Sequence, residues 1–351
     1  MKLCILGTGR MGAHHAEHFL AIDGVSVTAC VEIDEERREA FRGRYEIADS
    51  FPTLEEALAT GDFDAVANVT PDAVHYPTTM QCLATGKHVF CEKPLATNHA
   101  HAMEMTEAAE ARGLVAMVNL SYRDVSAIQK AHEIVTSGAI GAVRHVEASY
   151  LQSWLAQPAW GDWQTESRWL WRLSSAHGSL GVLGDVGIHI IDFASYGADL
   201  MFDEVSCSLH TFDKAPGGRI GDYVLDANDS FAMTVRFSNG ALGVIHASRY
   251  ATGYLNELRL TIHGERGALR LTNNGAFGTL EYCQERDLQS PAWLDVPLHS
   301  VADNYRRFTK AVHEGRTGEP SFRRAAEMQK IIDCAVASNA QKRPIAVNQV
   351  P

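Results

Sequence analysis

The sequence predicts an α/β protein: a doubly wound parallel sheet at the N-terminus, then an α+β domain with a largely antiparallel open sheet. Three observations predict it. The first 120 residues alternate short apolar, β-branched runs with helical patterns, the rhythm of a parallel sheet covered by helices. The first run leads into Gly7-x-Gly9-x-x-Gly12. After residue 120 the strands lengthen and alternate apolar with polar residues, as in a sheet with one buried face.

The predicted strands of the first domain are 2–6, 25–32, 64–70, 87–91 and 114–119. Helical patterns occupy 10–22, 34–43, 53–60, 72–85 and 97–112, with Asp72 and Thr97 as N-caps and Gly86 and Gly113 as stops. One more helix is expected at 125–137, then strands at 142–152, 203–212, 229–237, 241–250 and 255–263. Asn239-Gly240 separates two of these, a strong hairpin signal. In the first of that pair Phe231, Met233, Val235 and Phe237 alternate with Ala232, Thr234 and Arg236. Helices at 301–314 and 323–341 finish the chain, and the domains are expected to be 1–120 and 121–351.

A chain of 351 residues, 46% hydrophobic, is long enough for two cores. Its net charge of −12 disfavours a nucleic-acid partner. The N-terminal MKLCILGTGR lacks the long apolar stretch of a signal peptide, and no run of about 18 apolar residues predicts a membrane span. Seven cysteines, none in C-x-x-C, read as small core residues in a reducing cytoplasm.

The glycine loop has a physical reading. Gly7 permits a tight turn, Gly9 lets the backbone approach a pyrophosphate, and Gly12 lets helix and strand pack closely. Arg10 and Met11 open the helix, whose free N–H groups face the anion. Because the loop follows a strand and opens a helix, it is expected to bind a dinucleotide. The second strand ends in Glu32, placed to accept hydrogen bonds from the adenosine ribose and to repel the 2′-phosphate of NADP. NAD is therefore expected over NADP. Arg37 and Arg38 leave the phosphate open, against a plain solvated helix face shared with Glu35, Glu36 and Glu39. Thr70, Pro71 and His75 end another strand and open the next helix, at the edge that lines a cofactor crevice. The alternative for His75 is an ordinary histidine on a helix surface.

HVFCEKPLA, residues 88 to 96, ends an apolar strand in Glu92, Lys93 and Pro94. The edge where ligands bind in such sheets is the carboxyl edge, so Glu92 and Lys93 are counted with the cofactor-lining residues. An ammonium there is able to polarise a substrate oxygen. The alternative is a lysine snorkelling to solvent beside Glu92. A second constellation lies in GSLGVLGDVGIHIIDFA, residues 178–194. Asp185 and His189 are four apart, and Asp192 three beyond. This carboxylate–imidazole stripe suits proton transfer; a simple helix ion pair is the alternative. No metal is expected, since a third strong ligand is wanting.

Taken together, G-x-G-x-x-G at the N-terminus, E-K-P around Lys93 and D-x-G-x-H-x-x-D from Asp185 resemble the glucose–fructose oxidoreductase / inositol dehydrogenase / MocA family over essentially the whole chain. The segments SYRD (121–124) and SGAIGAV (137–143) and the late AQKRPIAV add to the likeness. The resemblance implies a Rossmann first domain and a second domain whose exposed sheet face joins subunits, here as a homodimer or homotetramer. It implies that Lys93 bonds the reacting oxygen, that His189 is the general acid/base and that Asp185 orients the substrate or tunes His189. It also implies a cis peptide before Pro94, and a place for Tyr122 and Arg123 beside the nicotinamide or substrate. One departure is Leu180, which interrupts the family's run of glycines before the aspartate.

Five of the six tryptophans fall in 150–177: Trp154, Trp160, Trp163, Trp169 and Trp171. Aromatic planes with interspersed charges suit a sugar or cyclitol ring; the alternative is a loop packing into its own small core. Trp171 and Arg172 stand close to the glycine-rich stretch and are counted as substrate residues. The expected activity is hydride transfer between a secondary alcohol of a sugar or polyol and the nicotinamide. An NAD-retaining glycosidase or a non-catalytic sensor of the same fold are the alternatives.

Overall fold

The structure, a computed structural model, describes residues 1–350 except 159, 276 and 291. It divides into two compact units, Met1–Leu120 with Ala302–Gln329, and Ser121–Val301 with Lys330–Pro351.

The first unit alternates strand and helix: β1 (Lys2–Leu6), α1 (Arg10–Leu20), β2 (Ser26–Val31), α2 (Glu35–Tyr45), β3 (Asp49–Phe51), α3 (Leu54–Thr60), β4 (Ala65–Asn68), α4 (Asp72–Ala84), β5 (His88–Cys91), α5 (His99–Glu110) and β6 (Ala116–Val118). The six strands run parallel in the order β3-β2-β1-β4-β5-β6. Order reverses between β1 and β4, the position where such sheets open a ligand crevice. β3 was not expected; it is short and half-polar, and its place comes from pairing with β2. Asp34, Thr53 and Asn98 cap α2, α3 and α5 through side-chain oxygens.

The second unit begins with α6 (Ser126–Thr136) and β7 (Val143–Gln152). The chain continues through α7 (Ser167–Leu170), α8 (Ile188–Ala198), β8 (Phe202–His210), the ribbon β9 (Arg219–Ile220) and β10 (Tyr223–Val224), β11 (Ser230–Phe237), β12 (Leu242–Ser248), β13 (Asn256–Gly264), β14 (Ala268–Asn273), β15 (Thr279–Cys283) and β16 (Leu294–Asp295). Then come α9 (Asn304–Glu314), α10 (Phe322–Gln341) and β17 (Ile345–Ala346). Nine strands form one sheet, β16-β15-β14-β13-β7-β12-β11-β8-β17. Its neighbours are antiparallel except β7 and β12. In β11 Phe231, Met233, Val235 and Phe237 are buried while Ala232, Thr234 and Arg236 are exposed. Gly240 turns the β11–β12 hairpin at φ 84°. Strands β14 to β16 lie beyond those the sequence pattern predicted.

The expectation that the second domain runs unbroken from 121 to 351 needs correction. Residues 302–329 belong to the first unit. The reason is the apolar face of α9: Tyr305, Phe308 and Ala311 pack into the cluster of Phe19, Phe90 and Met117. Burying such a face stabilises by about 1.5–3 kcal/mol for each large side chain, so the helix goes where its apolar face is covered. All seven cysteines are buried free thiols. No helix among the described residues is long and apolar enough to cross a membrane.

Candidate active site

In the first unit the glycine loop behaves as three different positions. Gly7 has φ +99°, and a Cβ there would stand 2.9 Å from the Val69 carbonyl oxygen. A Cβ on Gly12 would meet the Gly7 carbonyl oxygen at 2.2 Å. Gly9, in contrast, has nothing within 4 Å of its Cβ direction. Gly7 and Gly12 are thus demanded by the fold itself, whereas Gly9 leaves open space above the loop. No side chain caps α1, whose N-cap is Gly9. Uncapped N–H groups beside an open glycine form a cradle for a phosphate group.

Glu32 stands at the end of β2 against this loop. Its Oε2 accepts from the Thr8 N–H at 3.2 Å and the Thr8 hydroxyl at 3.0 Å, and its Oε1 from the Asp34 N–H at 3.2 Å. Burial alone would raise its pKa; the bonds from Asp34 and Thr8 and the Arg37 charge outweigh burial and hold it below the usual carboxylate value. Arg37 Nη2 lies 3.3 Å from Glu32 Oε1, and Arg38 donates to the Glu32 carbonyl at 2.9 Å. Both arginines, read from sequence as phosphate ligands or a solvated face, are turned to Glu32.

The turns after β4 and β5 are tied together. His75 is fully buried, not a helix-surface histidine, because both ring nitrogens face backbone oxygens. Its Nδ1 is 2.8 Å from the Pro94 carbonyl and its Nε2 2.8 Å from the Thr70 carbonyl. Asn68 Oδ1 accepts from the Thr70 hydroxyl at 2.7 Å. Pro71 is exposed. Glu92 Oε1 lies 2.7 Å from His15 Nε2 and accepts from Asn119 at 2.7 Å. Burial would raise the Glu92 carboxyl, but His15, Asn119 and the nearby Lys93 charge overcome it and bring it down to about 2. The Lys93–Pro94 peptide is cis, and Lys93 itself is half-buried. Lys93 therefore sits on a turn fixed from both sides, on the same carboxyl edge as the glycine cradle.

In the second unit Asp185 lies in a π-helical turn, Leu183–Gly187, that runs directly into α8. Such turns concentrate at functional sites. Asn228 fixes the entry: its Oδ1 accepts from the Leu183 N–H at 3.0 Å and its Nδ2 donates to the Leu180 carbonyl at 3.0 Å. Leu180, the residue that interrupts the glycine run, packs over Gly184, where a Cβ would come within 2.3 Å of its own. Asp185 Oδ2 accepts from Arg249 Nη2 at 2.9 Å and lies 3.8 Å from Arg172 Nε. His189 is nearly buried, edge-on to Tyr122 with centroids 5.0 Å apart. Tyr122 in turn shares a hydrogen bond with Tyr150 and accepts from Asn256 at 3.1 Å.

Arg123, expected beside nicotinamide or substrate, is buried. It donates to both oxygens of Asp192 at 2.6 and 2.7 Å and lies 3.5 Å over the Tyr196 ring. Both oxygens of Asp192, the far end of the carboxylate–imidazole stripe, thus accept from Arg123. The tryptophans divide. Trp154 and Trp163 are buried in a satellite core with Leu155, Leu170, Leu173 and Leu225, and their N–H groups donate to Gln152 and to the Leu155 carbonyl. This is the small-core alternative, not a sugar platform. Trp171 stays half-buried beneath Arg172, 4.4 Å from the guanidinium.

Sequence reasoning missed Arg249, a fully buried arginine one residue beyond β12, and the Glu92–His15–Asn119 network. Burial pulls the Arg249 pKa below the usual guanidinium value, although the Asp185 and Asp229 charges oppose it.

The family model described as "Oxidoreductase family, NAD-binding Rossmann fold" matches residues 1–120, and that of the GFO/IDH/MocA C-terminal domain matches residues 128–270. Levoglucosan dehydrogenase of Pseudarthrobacter phenanthrenivorans is 25% identical, over 100% of this chain and 99% of its own. Myo-inositol 2-dehydrogenase of Thermotoga maritima is 26% identical over 91% and 90%. Among solved structures, an oxidoreductase domain protein from Kribbella flavida superposes with a TM-score of 0.86 at 28% identity, over 99% of this chain and 98% of that one. Levoglucosan dehydrogenase in complex with NADH gives 0.86 at 25%, over 100% and 99%. With the cradle, Glu32 and the two sheets, these matches lead to one conclusion: the chain belongs to the GFO/IDH/MocA family of oxidoreductases and carries an NAD-binding Rossmann domain at its N-terminus.

Proposed function

We propose that the protein is a dehydrogenase that oxidises a secondary alcohol of a sugar, sugar derivative or inositol with NAD. The observation that carries this reading is the turn bearing Lys93. Glu92, His75 and Asn119 hold it rigidly on the carboxyl edge of the sheet that also carries the glycine cradle. A cation so fixed is preorganised to stabilise charge that develops next to a bound dinucleotide.

The Gly7–Gly12 loop and the start of α1 hold the pyrophosphate, and Glu32 holds the ribose. NAD, when bound, supplies the hydride acceptor. His189 takes the hydroxyl proton on its imidazole, and Lys93 donates a hydrogen bond to the oxygen as it becomes an alkoxide. Asp185, kept in place by Arg249, orients the substrate hydroxyls. The half-buried indole of Trp171 gives a face for the ring. The anionic Glu32, already oriented by Thr8 and Asp34, favours NAD over NADP. The relatives named for levoglucosan and myo-inositol support a sugar or cyclitol substrate. Seven buried thiols fit a cytoplasmic enzyme, and the outward Leu242, Val244 and His246 of β12 support a homodimer or homotetramer through the nine-stranded sheet.

The test is absorbance of reduced nicotinamide with NAD, then NADP, over inositols, aldoses and anhydrosugars. Lys93→Ala is expected to bind NAD normally and to lose about 10²-fold or more in turnover. Near-normal turnover in that variant would remove the assigned role. No signal from any alcohol, with NAD bound, would remove the dehydrogenase.

A further inference from the structure

We propose, on the dehydrogenase reading, that His15 is a positioning residue for Lys93. It acts through Glu92 and serves turnover rather than dinucleotide binding.

His15 lies on α1, three residues beyond Gly12, and its side chain is fully buried. Its ring is edge-on to Tyr305, with centroids 5.2 Å apart and planes at 88°, and stands 5.5 Å from Phe90. A ring packed among aromatics in this way keeps one orientation. Its Nε2 is 2.7 Å from Glu92 Oε1. An ionised carboxylate only accepts, so Nε2 carries a proton and donates. Nδ1 is buried without a partner among the described residues, and the contact of Nε2 with the Asn119 amide is long, at 3.5 Å. What this imidazole does, then, is hold Glu92.

Glu92 passes the restraint on. Its Oε1 takes His15 and the Asn119 amide, each at 2.7 Å, and its Oε2 accepts from the backbone N–H of Lys93 at 3.2 Å. The carboxylate is thus a bridge from the α1 ring to the peptide at which Lys93 begins. A peptide is planar, so fixing its N–H fixes the whole unit and restricts where the lysine side chain starts. On the far side His75 Nδ1 lies 2.8 Å from the Pro94 carbonyl oxygen.

Removing His15 has a directed consequence. The Glu92 side chain is 13% exposed, and a carboxylate that loses a donor in such a place turns to another. The Lys93 charge is near enough to act on it. Without His15, the carboxylate competes with the reacting oxygen for the same ammonium. The glycine cradle is spared, because Gly7 and Gly12 are held by backbone contacts of their own. Turnover therefore falls while the dinucleotide still binds.

The experiment compares two variants of the full chain. His15→Leu removes the donor at similar bulk; His15→Gln keeps an amide N–H directed at the same oxygen. Hydrogen exchange over residues 90–96 is read on the NADH-loaded protein. Turnover is read with whichever of myo-inositol, levoglucosan and D-glucose reduces NAD fastest. In His15→Leu the Lys93 amide is expected to exchange about fivefold or more faster, and kcat to fall by about tenfold to about a hundredfold. Its KM for NAD and its NADH affinity by calorimetry stay within about twofold of the wild type. His15→Gln recovers most of both losses. If His15→Leu does not fold, His15→Asn, whose amide is too short to reach Glu92, takes its place with the same expected losses. A kcat per NADH-binding site equal to that of the wild type would overturn the assignment, as would a fall in NADH affinity matching the fall in kcat, or no recovery in His15→Gln. Faster exchange with recovery in His15→Gln, but no NADH from any alcohol even in the wild type, would keep His15 as the residue that positions Lys93 and remove the dehydrogenase. Wild-type turnover that survives intact in the donor-less variant would do the reverse.

Discussion

Glutamine in place of Glu92 removes one charge from the network that holds the lysine turn. The Glu92 side chain is only 13% exposed, and His15 and Asn119 bring its carboxyl from the ordinary 4.5 to about 2 despite burial. That displacement corresponds to about 3 kcal/mol of stability at neutral pH. The folded-state value is the lower one, so the stabilisation is complete above about pH 4.5. It drains away as pH falls towards 2, where the folded form takes up its proton. Urea unfolding of the wild type and Glu92→Gln, repeated from pH 7 down to pH 2, measures it. The variant is expected to be less stable by about 3 kcal/mol at pH 7, with the gap closing between about pH 4.5 and about pH 2. A gap that is absent at pH 7, or that persists unchanged to pH 2, would refute the electrostatic account of this turn.

Two alanine substitutions in the glycine loop separate binding from folding. Gly9→Ala is expected to melt like the wild type, since its Cβ meets no protein atom, yet to lose about tenfold or more in NAD affinity by calorimetry because the backbone approach is blocked. Gly12→Ala, whose Cβ would stand 2.2 Å from the Gly7 carbonyl oxygen, is expected to destabilise the fold by about 1–3 kcal/mol or more. Arg123→Met removes the bidentate partner of buried Asp192 and is expected to cost about 3–5 kcal/mol in denaturant unfolding, part of it restored by adding Asp192→Asn.

What was legible in the sequence had steric or periodic causes. Gly7, Gly9 and Gly12 declare themselves by their spacing: a Cβ at Gly7 or Gly12 would strike the backbone, and Gly9 leaves the loop open. The four-residue interval singles out Asp185 and His189, whereas nothing in the pattern marks the π-helical turn that holds Asp185. The hairpin at Asn239-Gly240 has its own turn chemistry. What was hidden depends on residues far apart in the chain. Arg249 falls on the inward parity of β12, but the partner that lets an arginine be buried there, Asp185, is 64 residues away. Glu92 meets Asn119 across 27 residues; the E-K-P motif marks Glu92, but nothing marks His15 and Asn119 as its partners. The strands β14 and β15 are short and bounded by glycine, so their pairing, rather than their apolar content, defines them. Tryptophan content alone does not separate a satellite core from a sugar platform; Trp154 and Trp163 went one way and Trp171 stayed half-buried.

The return of residues 302–329 to the first unit bears on how the gene can be recombined. A contiguous segment ending at residue 120 is not a portable module. Cut there, it would bare the faces of Phe19 and Phe90 that Tyr305 and Phe308 cover, and Asn119 would lose the amide that Asn304 donates to it. The dividing line also falls inside α10, between Gln329 and Lys330, so an exchange of either unit with that of a relative has to respect a joint within a helix. Chimaeras joined at 120 alone would set a relative's segment against Phe19 and Phe90 and should be less stable than those that carry 302–329 along with 1–120.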